Sequence, residues 1–251
     1  MPRGRGEVVR LDARLSAAAR DLFVYLPPSY FTTDRRYPVL YMQDGQNLFD
    51  PALSYAGSWC VDRAMDRAAR RGVEGIVVGV PNAGDQRIAE YNPFGRRGNR
   101  AGQGKRYLDR LVGSVKPLVD ERFRTLAGRD STGIVGSSMG ALISLFAFFR
   151  RPDVFGIVGA LSPSLWFADR RIFEVAERFP LCPGRIYLDV GLQEGAESVA
   201  DVRRLRDVLQ AKGFRAGQEL RYREDRSGTH HESAWGRRLR TALPFLLTIG
   251  G

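Results

Sequence analysis

The span Thr132-Gly-Ile-Val-Gly-Ser-Ser-Met-Gly140 concentrates more potential chemistry than any other part of the chain. A short β-branched run enters Gly-x-Ser-x-Gly and an apolar run leaves it. A serine at a tight strand-to-helix turn is pushed outward, and glycines two places before and after it let the backbone turn without clashing. Ser138 is therefore the candidate nucleophile, with Gly136 and Gly140 as the flanking glycines. The helix beginning there would point free amides and its positive dipole end at the same spot, where negative charge develops during acyl transfer. Ser137 is one place short of the central position, so its hydroxyl should turn away. The plainer alternative is a Gly/Ser turn with no chemistry, which the strand before it and the helix after it disfavour.

A serine hydroxyl needs a base, and histidine suits the task because its unperturbed pKa is roughly 6.5. The chain has two, His230 and His231, both in a loop following the strand expected at Leu220–Arg223. Residue type alone does not choose between them. A carboxylate must orient the base, and the segment after the strand Ile186–Val190 offers Glu194, with Glu197 and Asp201 as rivals; Asp189 lies too deep in the strand. Carboxylates here also fit the negative charge favoured at a helix N-terminus before Val199.

The order serine, acid, histidine needs a scaffold of alternating strands and helices. Strands are expected at Leu22–Leu26, Val39–Met42, Gly75–Val80, Thr132–Val135, Ile157–Leu161, Ile186–Val190 and Leu220–Arg223. Their continuous apolar character suits strands covered on both faces of a mostly parallel sheet. Helices are expected at Val61–Arg70, Lys105–Glu121, Ala141–Phe149, Val199–Ala211 and Ala234–Leu246, packed on both faces. The expected fold class is α/β, and the 251 residues are read as one domain. Pro81–Gly104 carries no clear pattern, and loops of that length tend to be functional or mobile.

The formal charge of +11 is unusual, yet the basic residues are dispersed and no nucleic-acid-binding motif accompanies them. No nucleic-acid partner is expected. No apolar run is long enough for a membrane helix and no secretory signal is apparent, so a cytoplasmic location without membrane attachment is expected. Cys60 and Cys182 lack metal-site spacing, and neither a metal nor another cofactor is called for.

Several segments together resemble the putative-esterase family of the α/β-hydrolase fold, which includes esterase D, enterochelin esterases, feruloyl esterases and the antigen 85 mycolyltransferases. They are Leu40-Tyr-Met-Gln-Asp-Gly-Gln-Asn-Leu-Phe49, Gly136-Ser-Ser-Met-Gly140, Ser162-Pro-Ser-Leu-Trp166, Tyr187-Leu-Asp-Val-Gly-Leu-Gln-Glu194 and Gly228-Thr-His-His-Glu-Ser-Ala-Trp235. The resemblance spans about residues 20–247 and implies a serine esterase acting on a small ester. It selects His230 as the base and implies that the amides of Gln46 and Met139 form the oxyanion hole. Trp59 and Trp166 resemble positions bordering the cleft, with core packing as the alternative. Arg87-Ile-Ala-Glu-Tyr-Asn-Pro93 resembles a family stretch, so Arg87 and Tyr91 are expected to shape the substrate pocket. The cationic excess from Arg87 to Arg106 is read either as a solvated loop or as an attractor for anionic or phenolate substrates. Two departures stand out. Ala141 follows Gly140 where many relatives have a second glycine, and the roughly 20 residues before the first expected strand leave no room for the N-terminal sandwich domain of many enterochelin esterases. The alternatives to a hydrolase are an acyltransferase using the same groups and a silent binding protein of the same fold.

Overall fold

A computed structural model describes residues 4–12, 20–54, 56–95 and 102–248. Eight strands form one sheet: β1 (Glu7–Leu11), β2 (Leu22–Leu26), β3 (Val39–Gln43), β4 (Ile76–Val80), β5 (Thr132–Ser137), β6 (Ile157–Leu161), β7 (Arg185–Gly191) and β8 (Leu220–Asp225). Their spatial order is β1-β2-β4-β3-β5-β6-β7-β8. The first two pairings, β1 with β2 and β2 with β4, are antiparallel, and every pairing from β4 onward is parallel. Strands β3 to β6 are buried along their whole length, as continuous apolar runs covered on both faces must be.

Strand β1 was not expected. Its sequence, Glu7-Val-Val-Arg-Leu11, mixes charge with apolar residues, and it sits at the exposed edge of the sheet where that mixture is tolerated. It also occupies part of the stretch before Leu22 that the sequence reading left without structure.

Helices cover both faces. On one, α1 (Val61–Ala69) and α8 (Glu232–Leu247) pack together, and Trp59, Met65, Leu239, Leu243 and Leu246 join Leu40, Met42 and Val135 of the sheet. The other face carries α3 (Gly104–Arg110), α4 (Lys116–Arg122), α5 (Met139–Arg150), α6 (Ile172–Arg178) and α7 (Ala196–Ala211), while a one-turn helix, α2 (Arg87–Glu90), precedes them. The helix expected at Lys105–Glu121 is interrupted by a π turn at Leu111–Val115. Pro117 brings no N–H to the carbonyl of Gly113, so the ladder shifts by one residue just before it. Helix α5 is buried at every residue but its last, Arg150, and so acts as the central post of its layer. No helix among the described residues is long and apolar enough to cross a membrane.

Parallel strands have one consequence for the site. Segments following β3, β5, β6, β7 and β8 all emerge at the same edge of the sheet, the edge where open α/β sheets place their ligands.

Candidate active site

Ser138 links β5 to α5 with φ 55° and ψ −123°, outside the regions open to most non-glycine residues. Such a conformation costs on the order of 1–3 kcal/mol and persists only where surrounding contacts over-determine it. Here the Ser138 amide donates to Leu161 O at 3.1 Å, and its carbonyl accepts from Leu142 N and Ser164 N, each at 3.1 Å. A Cβ on Gly136 would stand 2.5 Å from the Gly140 backbone, so that position must be glycine.

Two further glycines bring the base and the acid together. A Cβ on Gly191 would lie 2.3 Å from Gly228 O, and Gln193 N donates to Gly228 O at 3.1 Å. The loops after β7 and β8 therefore touch at backbone level, and His230 stands between Ser138 and Glu194. Its Nε2 is 2.9 Å from Ser138 Oγ and its Nδ1 2.8 Å from Glu194 Oε2. Trp235 braces the imidazole edge to face, with centroids 4.9 Å apart. His231 does something else: its Nδ1 accepts from Ser233 N and caps α8. Glu197 and Asp201 both pair with Arg170, away from His230.

Glu194 is itself held from behind. Its Oε1 accepts from Ser162 Oγ at 2.6 Å, Gly191 N at 2.9 Å and Arg238 Nη2 at 3.2 Å. Burial alone would raise the pKa of Glu194. The hydrogen bonds from His230 and Ser162, together with the Arg238 charge, outweigh burial and hold it below its ordinary value. An ionised Glu194 can only accept, which fixes the proton on His230 Nδ1 and leaves Nε2 to accept from the serine hydroxyl. Deeper still, Asp189 is fully buried, 3.3 Å from Arg238 Nη1, and burial pushes its pKa up to about 7 against the pull of Arg238 and Tyr187.

On the other side of the serine, the loop after β3 turns through Asp44 in the left-handed region (φ 56°) into a 3-10 turn at Gly45–Asn47. Gln46 and Met139 each lie in the first turn of a helix, where amide N–H groups lack intrahelical acceptors. The Asp44 carboxylate accepts from Arg87 Nε (2.6 Å), Arg87 Nη2 (2.8 Å) and Asn82 Nδ2 (2.6 Å), while Asp44 N donates to Tyr91 Oη at 3.1 Å. Asn82 N also donates to Gln46 Oε1 at 3.2 Å.

This changes the expected places of three residues. Tyr91 is fully buried behind the loop, and the Nε–Nη2 edge of Arg87 is taken up by Asp44. Trp59, 3% exposed, packs its ring 5.8 Å from that of Trp235 in the core. Trp166 differs: it is 54% exposed, on the loop whose Ser164 is tied to the Ser138 carbonyl. Arg96, Arg97 and Arg100, counted in the cationic excess, lie outside the described residues. Sequence reasoning did not assign roles to Ser162, Asn82, Asp189 or Arg238. Arg238 carried a signal, because it falls three residues after Trp235 on the apolar stripe of α8, where a charge needs a buried partner.

Residues 17–246 match the family described as putative esterase. The chain belongs to that esterase family. Among curated relatives of this family member, the uncharacterized protein YbbA of Bacillus subtilis is 28% identical over 245 residues, covering 92% of this chain and 93% of YbbA. The siderophore triacetylfusarinine C esterase of Aspergillus fumigatus is 30% identical over 153 residues, which is 57% of this chain and 49% of that protein. Among solved structures, the S954A mutant of the feruloyl esterase module from Clostridium thermocellum, complexed with sinapinate, superposes with a TM-score of 0.72. It is 18% identical and is matched over 99% of this esterase and 90% of that chain, a likeness of fold.

Proposed function

We propose that the protein is a serine carboxylic-ester hydrolase that works through an acyl-enzyme on a small or aryl ester. Ser138 Oγ attacks the ester carbonyl while His230 Nε2 takes its proton; His230 then returns that proton to the leaving alcohol. Glu194 keeps the imidazole in the required tautomer and stabilises the imidazolium. The amides of Gln46 and Met139 receive the oxyanion, at a helix N-terminus whose dipole favours negative charge. Water, activated by the same histidine, releases the acid. The observation that carries this reading is the single imidazole spanning Ser138 Oγ and Glu194 Oε2 at 2.9 and 2.8 Å. The names of two relatives, a siderophore esterase and a feruloyl esterase module, support esters of polar or aromatic acids as the substrate class. The exposed indole of Trp166, two residues beyond the Ser164 that bonds Ser138, offers a face on which an aryl group can stack.

The test is hydrolysis of p-nitrophenyl esters from acetate to decanoate, with feruloyl and catecholate esters alongside, by the wild type and by Ser138→Ala. Wild-type turnover should fall by about 1,000-fold or more in the variant, at unchanged thermal stability, and a fluorophosphonate should label Ser138 alone. Near-native activity in Ser138→Ala would remove the proposal.

A further inference from the structure

A cavity of about 240 Å³ opens beside Arg238, behind the acid-base pair. Tyr187, Arg223, Glu224, Asp225, Arg226, Arg237, Arg238 and Thr241 line it. Its four arginines outnumber its two carboxylates, and both carboxylates turn to other partners. Glu224 accepts from Arg203 Nε and Nη2 at 2.8 and 2.9 Å and from Tyr222. Asp225 turns its carboxylate to Ser227 N and Oγ. Among the described residues no carboxylate lies within ion-pairing distance of Arg223, Arg226 or Arg237, whereas Arg203 and Arg215 each have one and Arg170 has two. Arg238, only 6% exposed, adds a buried cation with spare donors. Its Nη2 is committed to Ser162 Oγ at 2.7 Å and to Glu194 Oε1, but its Nε has no acceptor among the described residues, and Nη1 stands beside Asp189 Oδ1 without a hydrogen bond.

We infer that this cavity is a small-oxyanion site, coupled to the triad through Arg238. The Arg238 Nε N–H, which has no acceptor among the described residues, can donate to one oxygen of an anion, and Arg223, Arg226 and Arg237 supply the surrounding positive field. A water takes up roughly 30 Å³, so the volume holds a phosphate or carboxylate group with a few waters but no large ligand. Occupancy has a direct route to the chemistry. The guanidinium drawn toward the anion is the one that holds Glu194 Oε1, and its 3.2 Å bond is the longest of the three at that oxygen. The anion therefore loosens the carboxylate that orients His230, and turnover falls. The same oxyanion chemistry is offered by inorganic phosphate and by the carboxylate that ester cleavage releases.

Isothermal titration of the full-length protein with sodium phosphate, and separately with sodium acetate, against chloride at matched ionic strength tests the site without reference to activity. Saturable binding with a Kd of about 1 mM or tighter is expected for at least one of them. Phosphate binding alone identifies an inorganic or phosphoryl effector, and acetate binding identifies the acid product. With phosphate, kcat/KM for p-nitrophenyl acetate should fall about fivefold at the same half-saturation. The exposed double variant Arg223→Ala/Arg237→Ala should keep wild-type turnover in chloride and lose both binding and response. Should that variant lose basal turnover, Arg226→Ala, on the loop after β8, carries the same comparison. Absence of saturable binding of either anion up to roughly 10 mM, or undiminished binding in the variant, overturns the site. Phosphate binding that leaves kcat/KM unchanged overturns the coupling.

Discussion

Two arginine–carboxylate clusters flank Ser138, and they are built to different standards. Behind the oxyanion loop, Asp44 faces both Nε and Nη2 of Arg87 at 2.6 and 2.8 Å, Asn82 takes a further bond, and Tyr91 receives the Asp44 amide. Behind the base, Arg238 is shared between Glu194, Ser162 and Asp189, with two of its nitrogens and one Asp189 oxygen left without hydrogen bonds. In the proposed mechanism the first cluster holds a backbone turn whose amides must already point at the oxyanion position, so every group is fixed in advance. The second holds an ionised side chain in a buried place. One cation there balances two carboxylates, and the one farther from solvent is driven toward neutrality. A saturated cluster serves as a fixed frame, whereas an undersatisfied one can respond to a change in charge or ligation.

The largest effect is expected where that undersatisfied cluster is broken. Arg238→Ala leaves Glu194 and Asp189, both nearly or fully buried, without their shared cation. Removing one partner of a buried ionic cluster costs about 3–5 kcal/mol, a fall in Tm on the order of 10 °C for a chain of this size. A Tm within about 2 °C of wild type would show that the two clusters do not differ in the way argued. Arg87→Ala comes next. It frees Asp44 and lets the Gly45–Asn47 turn relax, so kcat should drop about 100-fold with KM little changed, because the lost contact acts on the oxyanion alone. Arg87→Lys keeps the charge but not the fork, and should recover only part of the rate. A change confined to KM would return Arg87 to the substrate pocket.

Much of this was legible beforehand because the chemistry sits on short, patterned segments. The strand-Gly-x-Ser-x-Gly-helix run placed Ser138 within two residues of where β5 and α5 meet, and the paired histidines left a choice of one or the other. The braces were less legible because they join residues far apart in the chain. Asp44 meets Arg87 across 43 positions and Glu194 meets Arg238 across 44, and no local period encodes such pairs. Arg87 and Tyr91 were read as pocket residues for a related reason. A segment without strong periodicity shows which residue types it carries but not which way they face, and here both turn inward to the Asp44 turn. Trp59 was equally ambiguous, since a tryptophan beside Gly57-Ser58 suits a cleft wall as well as a core.

Tyr91→Phe probes the saturated cluster at one bond. The ring stays in its buried slot, and the Asp44 amide loses its only acceptor among the described residues. A buried donor left unpaired costs about 1–3 kcal/mol, which urea unfolding at constant m will resolve. If stability is unchanged, the loop is held by the Arg87 fork and Asn82 without the Tyr91 bond.

Asp189→Asn is the finest test, because its effect depends on pH and its sign can be worked out. The native pKa of Asp189 is raised to about 7 from an ordinary 3.8, so between those values the folded chain retains a proton that the unfolded chain has released. Stability from this group is therefore present in full below pH 4 and declines as pH climbs toward 7. Asparagine has no proton to lose, and its carbonyl can still accept from Tyr187 Oη, which donates to Asp189 Oδ2 at 3.1 Å. The variant should thus gain on the wild type as pH rises, by about 2 kcal/mol between pH 5 and pH 8. Unfolding free energies measured at pH 5, 6.5 and 8 that run parallel for the two proteins would mean that Asp189 stays ionised throughout. In that case Arg238 would balance both carboxylates, and the cluster behind His230 would be as fully compensated as the one behind the oxyanion loop.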